Sequence, residues 1–298
     1  MTIRLIANPT SGRGRAGDLV PEAVAALYEA GIDVDVRFTA DAADLRAAVR
    51  ESRDNGEERV VLCGGDGSIH LAVQELAGTD TALGIIPAGT GDDNARMLGI
   101  PRKDVRGATI LAATGQVSRV DVGHVSTADG TARFFLGVLS SGFDSMVNER
   151  ANDMTRPKGD ARYLVAILAE LRTFRPLSYN AVIDGRPVSG DAMLVAVGNG
   201  VSYGGGMRVC PDADPSDGML DVTWLHGVGK ATFIRVFPQV FSGGHVTSRH
   251  VSSLRARWLS LDAPGQVVYA DGEHVGPLPA QIEVRPGALA VARGPAPA

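Results

Sequence analysis

The chain has 298 residues, of which 44% are hydrophobic and 21% charged, and its formal net charge is −5 at pH 7. This composition predicts a soluble globular protein with one large domain or two ordinary ones. The acidic balance argues against nucleic acid as a partner, because nucleic-acid binding requires a basic face.

The distribution of cysteines and apolar residues predicts a cytoplasmic protein. Cys63 and Cys210 lie far apart and indicate neither a disulfide framework nor a CxxC metal site. The N-terminus reads as one short strand, shorter than the apolar core of a signal peptide. No stretch reaches the roughly 18 apolar residues of a membrane span, so any membrane contact is expected to be peripheral and transient.

Strand and helix patterns alternate over about the first 120 residues. Strands are predicted at 3–7, 34–38, from 59 into a glycine turn, and at 82–87. Helices are predicted at 19–30, at 42–53 and from about residue 68. Alternation at this spacing predicts βαβ units and a parallel sheet, whose ligands bind at the carboxyl ends of the strands.

From about residue 117, short alternating apolar runs and hairpin signals predict a mostly antiparallel β domain. Strands are predicted at 133–139, 178–184, 193–197, 220–225, 253–261 and 266–270. A last pair, 281–284 and 288–292, flanks Pro286-Gly287, and two helices are predicted at 163–174 and 230–241. We therefore predict an α/β fold with a three-layer α/β domain at 1–122 and a β-sandwich domain at 123–298.

The most informative segment is a glycine turn between a strand and a helix, with the sequence Gly64-Gly65-Asp66-Gly67-Ser68. In this arrangement the backbone N–H groups and the helix N-terminus receive an anion such as a phosphate. A carboxylate beside a phosphate suggests a metal ion or a proton to be moved. The alternative is a helix cap built from permissive turn residues.

Two further turns fall on the same edge of the predicted sheet. Asn8 and Ser11 follow the first strand, and Gly89-Thr90-Gly91 follows the strand at 82–87. The acids Asp92 and Asp93 come next, in the first turn of a helix. Two acids at this position could simply complement the helix dipole.

Taken in order, these turns resemble the diacylglycerol kinase catalytic domain family. The resemblance extends over nearly the whole chain through Gly142-Phe143-Asp144, Asn199-Gly200, 203–206, 217–222 and Asp271-Gly272-Glu273. It implies an NAD kinase/diacylglycerol kinase-like fold, with the active site between the two domains. The chain departs from the family by having Asp92-Asp93-Asn94 where members commonly have Asn-Asp-Phe, and Ser68 in place of Thr.

The resemblance implies an ATP- and Mg²⁺-dependent kinase, in which catalysis is mostly positioning and charge neutralisation. Because the chain has no Walker motif, the triphosphate is expected at Gly64, Gly65, Gly67 and Ser68 and at Gly89 and Thr90, helped by Asn8 and Ser11. Arg13 and Arg15 either contact the phosphates or are solvated. Asp66 and Asp93 would hold or orient Mg²⁺-bound phosphates.

Asp271 and Glu273 follow the strand predicted at 266–270. If the extended backbone continues, side chains two apart point the same way and both carboxylates face the cleft. Glu273 is then the expected base for the lipid hydroxyl, with Asp271 assisting or binding metal. The alternative is a hairpin, because Asp-Gly is a favoured turn dipeptide.

An oxygen-rich loop at 212–218 has the composition of a cation site but not the spacing of an EF-hand. The resemblance implies a structural Mg²⁺ here, with Asp214, Asp217 and the carbonyl of Met219 as ligands. A plain turn is the alternative.

The expected substrate is a lipid with a free hydroxyl at a membrane surface, and the favoured lipid is diacylglycerol. The rivals are a sphingoid lipid or NAD on the same fold, and a non-catalytic nucleotide- or lipid-binding protein. The basic stretch 149–162 either docks on anionic headgroups or is a solvated loop. Exposed strand edges in the second half leave a homodimer open.

Overall fold

The computed structural model describes residues 2–143, 146–147, 150, 154, 165, 169 and 175–294. The strands are β1 Thr2–Ala7, β2 Asp33–Phe38, β3 Arg59–Gly64, β4 Ala82–Pro87, β5 Val117–Thr127, β6 Ala132–Phe135, β7 Val138–Gly142, β8 Leu177–Ile183, β9 Arg186–Gly198, β10 Leu220–His226, β11 Val251–Ala256, β12 Trp258–Asp262, β13 Val267–Ala270, β14 Glu273–Pro277 and β15 Ala280–Ala292. The helices are α1 Arg15–Glu29, α2 Ala42–Asp54, α3 Asp66–Leu76, α4 Asp93–Met97, α5 Val105–Thr114 and α6 Lys230–Val236.

The first part of the chain is a three-layer α/β/α structure. Strands β2, β1, β3 and β4 lie side by side and parallel. Successive residues of β3 point to opposite faces: Val61 and Cys63 pack among residues of α1 and α5, and Val60 and Leu62 pack among residues of α2 and α3. Both faces of β3 are thus covered by helices, as is typical of parallel sheets.

The second part is antiparallel and has its own apolar core. Strands β7 to β14 contribute inward-facing side chains to one buried cluster that includes Tyr179 and Trp224. Strands β5 and β15 pair along most of their length and join this cluster to the parallel strands, where Val291 of β15 lies beside Leu83 of β4. The boundary proposed at residue 122 therefore falls inside β5, a strand common to both parts.

The two strands predicted on either side of Pro286-Gly287 are one strand, β15, and these two residues form a bulge within it. The register of β15 against β5 shifts between Arg285 and Leu289. Proline has no N–H for the ladder, and the N–H of Gly287 instead donates to Asp121 Oδ1 (2.7 Å). The strand continues beyond the bulge to β4.

Two predicted strands are each divided by a distant carboxylate. The run 253–261 is split into β11 and β12 where the N–H groups of Arg257 and Trp258 donate to Asp184. The run 133–139 is split into β6 and β7 where the N–H groups of Leu136 and Gly137 donate to Asp271. A carboxylate that captures two successive N–H groups takes them out of the strand ladder.

The helix predicted at 230–241 shortens to α6, followed by a 3₁₀ turn at Phe237–Phe241 that contains Pro238. The predicted helix 163–174 and the basic stretch 149–162 lie for the most part outside the described residues, as does Asp144. In the described part of the chain, no helix combines the length and apolarity needed to cross a membrane.

Candidate active site

Three turns meet at the carboxyl edge of the parallel strands. In the registers of β1, β3 and β4, Ala7 lies beside Cys63, and Gly64 lies beside Pro87. The turns that leave these strands therefore start at the same level. This confirms the shared edge expected from the strand and turn pattern.

The turns pack so closely that side chains are excluded between them. A Cβ added to Gly65 would come 2.9 Å from the Cα of Gly89, so the second and third turns lie back to back. A Cβ on Gly12, whose φ is +61°, would lie 1.8 Å from the carbonyl oxygen of Ala88. Glycine is required at both positions because the neighbour is main chain and cannot move aside.

The N-terminus of α3 presents backbone donors beside two hydroxyls. The N–H of Gly65 donates to Ser11 Oγ (3.1 Å), and Ser11 Oγ lies 3.5 Å from Ser68 Oγ. No side chain in the described part of the chain caps this helix. Uncapped N–H groups at the positive end of an eleven-residue helix form a site for an anion.

Asp92 and Arg15 fix the third turn through hydrogen bonds to the backbone of Gly89. Asp92 is buried in the left-handed conformation (φ 49°), and its Oδ1 accepts the N–H of Gly89 (2.8 Å). Arg15 donates to the carbonyl of Gly89 (3.2 Å). Asp92 therefore shapes the glycine turn.

Asp66 lies between the second and third turns. Its Oδ1 accepts the N–H of Asn94 (3.0 Å), and its Oδ2 accepts the N–H of Asp93 (3.2 Å). Burial, reinforced by the charges of Asp93 and Asp92, raises the pKa of Asp66 to about 6, although the two N–H bonds oppose the shift. A carboxylate in such surroundings is stabilised by any cation that binds nearby.

Asp93 is engaged by protein donors from both parts of the chain. Its carboxylate pairs with Arg96 and accepts the hydroxyl of Ser202 (2.9 Å) and the N–H of Gly205 (2.7 Å). The glycine-rich loop at 203–206 is thereby held against α4. In this arrangement Asp93 links the two parts and is not an open ligand for a metal-bound phosphate.

Asp271 occupies a hairpin turn, which contradicts the expectation that both late carboxylates face the cleft. The backbone is left-handed at Asp271 (φ 53°) and at Gly272 (φ 87°), so the extended strand does not continue. The carboxylate accepts the N–H groups of Leu136 (3.0 Å) and Gly137 (2.8 Å) and lies 3.2 Å from His70 Nδ1. It holds the second part of the chain against α3.

Glu273 is exposed and lies over the N-terminal turn of α3. A Cβ added at Gly67 would come 3.4 Å from Glu273 Oε1. Asp66 is the residue before Gly67, so the two acids that sequence reasoning selected meet at one turn, and the region around this turn is called the crevice below. The first part contributes the anion site and the second part contributes the acidic side chain.

Comparison with known proteins finds two family models that together cover most of the chain. The diacylglycerol kinase catalytic domain matches residues 2–125, and the YegS C-terminal NAD kinase beta sandwich-like domain matches residues 137–293. A curated diacylglycerol kinase of Mycobacterium tuberculosis is 42% identical over 98% of this chain and 94% of its own length. The chain belongs to the diacylglycerol kinase family of lipid kinases.

More distant relatives agree in fold. A diacylglycerol kinase of Bacillus subtilis is 29% identical over 94% of this chain and 92% of its own length. A crystal structure of a diacylglycerol kinase from Bacillus anthracis, 22% identical, aligns with a TM-score of 0.74 over 99% of this chain and 97% of that one. The α/β part followed by a β-sandwich-like part is thus the fold of this lipid kinase family.

The loop in which this lipid kinase was predicted to hold a structural Mg²⁺ is a tight turn. Asp214 accepts the N–H of Ser216 (2.9 Å), and Asp217 accepts the N–H of Met219 (3.0 Å) and pairs with Arg255. Within the described residues, no group of three or more His, Cys, Asp or Glu side chains is placed to hold a metal ion. The ligand set of Asp214, Asp217 and the Met219 carbonyl stays a prediction.

One feature of this loop does fit a cation. The Oδ2 atom of Asp221, beside the loop, is buried without a hydrogen-bond partner and lies 3.6 Å from Arg255 Nε. Burial raises the pKa of Asp221; Arg255 opposes that shift, and the charges of Asp217 and Asp212 add to it. A cation among these carboxylates would add to the charge compensation that Arg255 already gives.

The remaining predicted residues of the kinase site lie at its margin. Thr90 is exposed at the tip of the third turn, and the side chain of Asn8 closes its own turn by accepting the N–H and hydroxyl of Thr10. Sequence reasoning missed Gln74, which accepts the N–H of Phe134 (2.9 Å) and donates to its carbonyl (2.8 Å).

Proposed function

We propose that this lipid kinase transfers the γ-phosphoryl group of ATP to the free hydroxyl of diacylglycerol and forms phosphatidic acid. The observation that carries the proposal is the position of Glu273 Oε1 over Gly67, at the N-terminal turn of α3. Phosphate oxygens held by that turn would lie next to a carboxylate able to accept a proton. The 42% identity to a curated diacylglycerol kinase supports diacylglycerol as the acceptor.

In the proposed reaction, the N–H groups of the first turn of α3 and the hydroxyls of Ser11 and Ser68 bind the phosphates. Glu273 accepts the proton of the lipid hydroxyl while the oxygen of that hydroxyl bonds to the γ-phosphorus. The bond from that phosphorus to the bridging oxygen breaks, and ADP leaves with the electron pair. Asp271 and His70 position the hairpin that carries Glu273.

The proposal of Mg²⁺ at the crevice is supported by the half-buried Asp66, whose carboxylate lies against the N–H groups of Asp93 and Asn94 and close to the charges of Asp93 and Asp92. When bound, the ion would neutralise charge on the transferring phosphates. Asp66 is the residue we propose to hold or orient it. The loop carrying Asp214, Asp217 and the Met219 carbonyl is proposed as a second, structural Mg²⁺ site, with the buried Asp221 oxygen in its support.

The test is transfer of labelled phosphate from ATP to diacylglycerol, sphingosine, ceramide and NAD by the purified protein, with and without EDTA. The proposal expects labelled phosphatidic acid, formed only when Mg²⁺ is present. Labelling of a sphingoid lipid or of NAD would keep the kinase and replace the substrate. Absence of transfer to all four acceptors would overturn the proposal.

A further inference from the structure

The helix α6 and the turns that follow it lie in a stretch of the chain without acidic residues. Residues 222–261 contain no Asp or Glu, in a chain with 34 acidic residues. The same stretch contains Lys230, Arg235, Arg249, Arg255 and Arg257. Arg255 pairs with Asp217 outside the stretch, so the basic side chains of interest are those of residues 230–249, in a chain whose net charge is −5.

The inner side of this segment is an ordinary buried face. Phe233, Val236 and Val240 belong to an apolar cluster, in which the Phe143 and Phe233 rings meet edge to face at 4.8 Å. These contacts anchor α6 and its 3₁₀ turn to the second part of the chain. The segment is therefore a fixed element of the fold.

The outer side of the segment is also apolar, although its side chains are exposed. Ile234 is 56% exposed and Phe241 is 57% exposed, and exposed Pro238 lies between them in sequence. Their spacing of four and then three residues places them on one side of a helical turn. Arg235 and Arg249, both exposed, belong to the same segment.

The segment adjoins the candidate active site. The N–H of Arg208 donates to the carbonyl of Val240 (2.9 Å), and Tyr203 and Met207 pack against the same cluster as Phe233. Tyr203 and Met207 bracket the glycine-rich loop whose Gly205 is bonded to Asp93. A surface in contact with the outer side of α6 would therefore lie next to the loop that borders the crevice.

We propose that the outer face of residues 230–249, defined by Ile234, Pro238, Phe241, Arg235 and Arg249, docks on an anionic lipid bilayer. This inference rests on the proposed lipid kinase function, for which the acceptor lies in a membrane. Exposed apolar side chains enter the boundary between headgroups and acyl chains, and the surrounding basic side chains attract anionic headgroups. The absence of acidic residues from 222–261 removes the repulsion that such a surface would otherwise meet.

The test is sedimentation of the full chain with vesicles of one part phosphatidylglycerol to three parts phosphatidylcholine. The variant Ile234→Ser/Phe241→Ser is expected to bind these vesicles about tenfold more weakly, because it loses two apolar insertions. The variant Arg235→Gln/Arg249→Gln is expected to weaken binding to anionic vesicles and to leave binding to pure phosphatidylcholine unchanged. The matched control is Tyr28→Ser/Phe38→Ser, which removes two apolar side chains, 60% and 51% exposed, from the first part of the chain.

Equal vesicle binding by the Ile234→Ser/Phe241→Ser variant and the parent chain would overturn the proposal. A parent dimer in light scattering that the same variant converts to monomer would also overturn it, in favour of a second copy on this face. Phosphorylation of a water-soluble short-chain diacylglycerol separates this inference from the proposed function. The variant should retain that activity, whereas a parent chain without it would refute the kinase substrate and leave the vesicle result to stand.

Discussion

Replacing Asp271 by Asn tests whether this residue positions the hairpin or takes part in the chemistry. Its side chain is 2% exposed, and its two oxygens face the N–H groups of Leu136 and Gly137 and Nδ1 of His70. Asn supplies one acceptor oxygen and one NH₂ group, so in either orientation the NH₂ group faces a buried N–H donor. The substitution also removes the charge that strengthens the remaining bond.

The expected cost follows from these contacts. A buried donor left unsatisfied costs about 1–3 kcal/mol, and loss of a charge-assisted bond adds about 1 kcal/mol, giving about 3 kcal/mol in all. In a chain of this size, such a loss lowers Tm by about 5–10 °C. Calorimetry of Asp271→Asn, with Glu273→Gln as the control from the same hairpin, measures the difference.

The control is expected to change Tm by less than about 2 °C, because Glu273 is exposed. A loss below about 1 kcal/mol in Asp271→Asn would refute the positioning role. Lost transfer activity at unchanged Tm would place Asp271 in the chemistry instead.

Two further predictions concern the turns. Gly12→Ala should destabilise the fold by about 2–4 kcal/mol in urea unfolding, because its Cβ would overlap the carbonyl of Ala88. The control Gly14→Ala, at φ +96° in open space, should cost only about 1 kcal/mol. Equal losses in the two variants would contradict the close approach of Gly12 to Ala88. Because the folded-state pKa of Asp66 is raised from 3.8 to about 6, its contribution to stability falls as pH rises through that window. Asp66→Asn should remove that slope from Tm measured without Mg²⁺ between about pH 4 and 7, and an unchanged slope would contradict the raised pKa of Asp66.

The sequence predicts the first part of the fold well because its signals are local. β-branched apolar runs, glycine turns and amphipathic helices alternate, and each is decided by residues within a few positions of one another. The three turns at the sheet edge follow from this alternation, since parallel strands end at the same edge. The bounds of β3 and α3 and the meeting of Gly65 with Gly89 are examples.

The second part was less predictable because distant carboxylates determine where its strands end. Asp271 bonds to residues 134 and 135 positions earlier, and Asp184 bonds to residues 73 and 74 positions later. The buried Asp121 likewise accepts N–H groups from Gly218 and Gly287 (both 2.7 Å). No periodicity within a window of sequence carries such pairings.

The candidate site divides in the same way. The acids Asp66 and Glu273 were found because each belongs to a short motif. The engagement of Asp93 by Ser202 and Gly205 depends on residues more than 100 positions away, so sequence reasoning did not anticipate it and placed Asp93 at the Mg²⁺-bound phosphates. A local motif identifies which residue types are present, and the tertiary partners determine which of them remain open to a ligand.

The most direct test of the account is the rate of phosphoryl transfer to diacylglycerol by Glu273→Gln, measured together with its affinity for ATP and its Tm. The account predicts that kcat falls by about 10²–10⁴, with nucleotide affinity and Tm close to those of the parent chain, because the proposed role of Glu273 is to accept the proton of the lipid hydroxyl. Transfer at the parent rate would contradict the role of Glu273 as proton acceptor and the shared crevice on which the account rests.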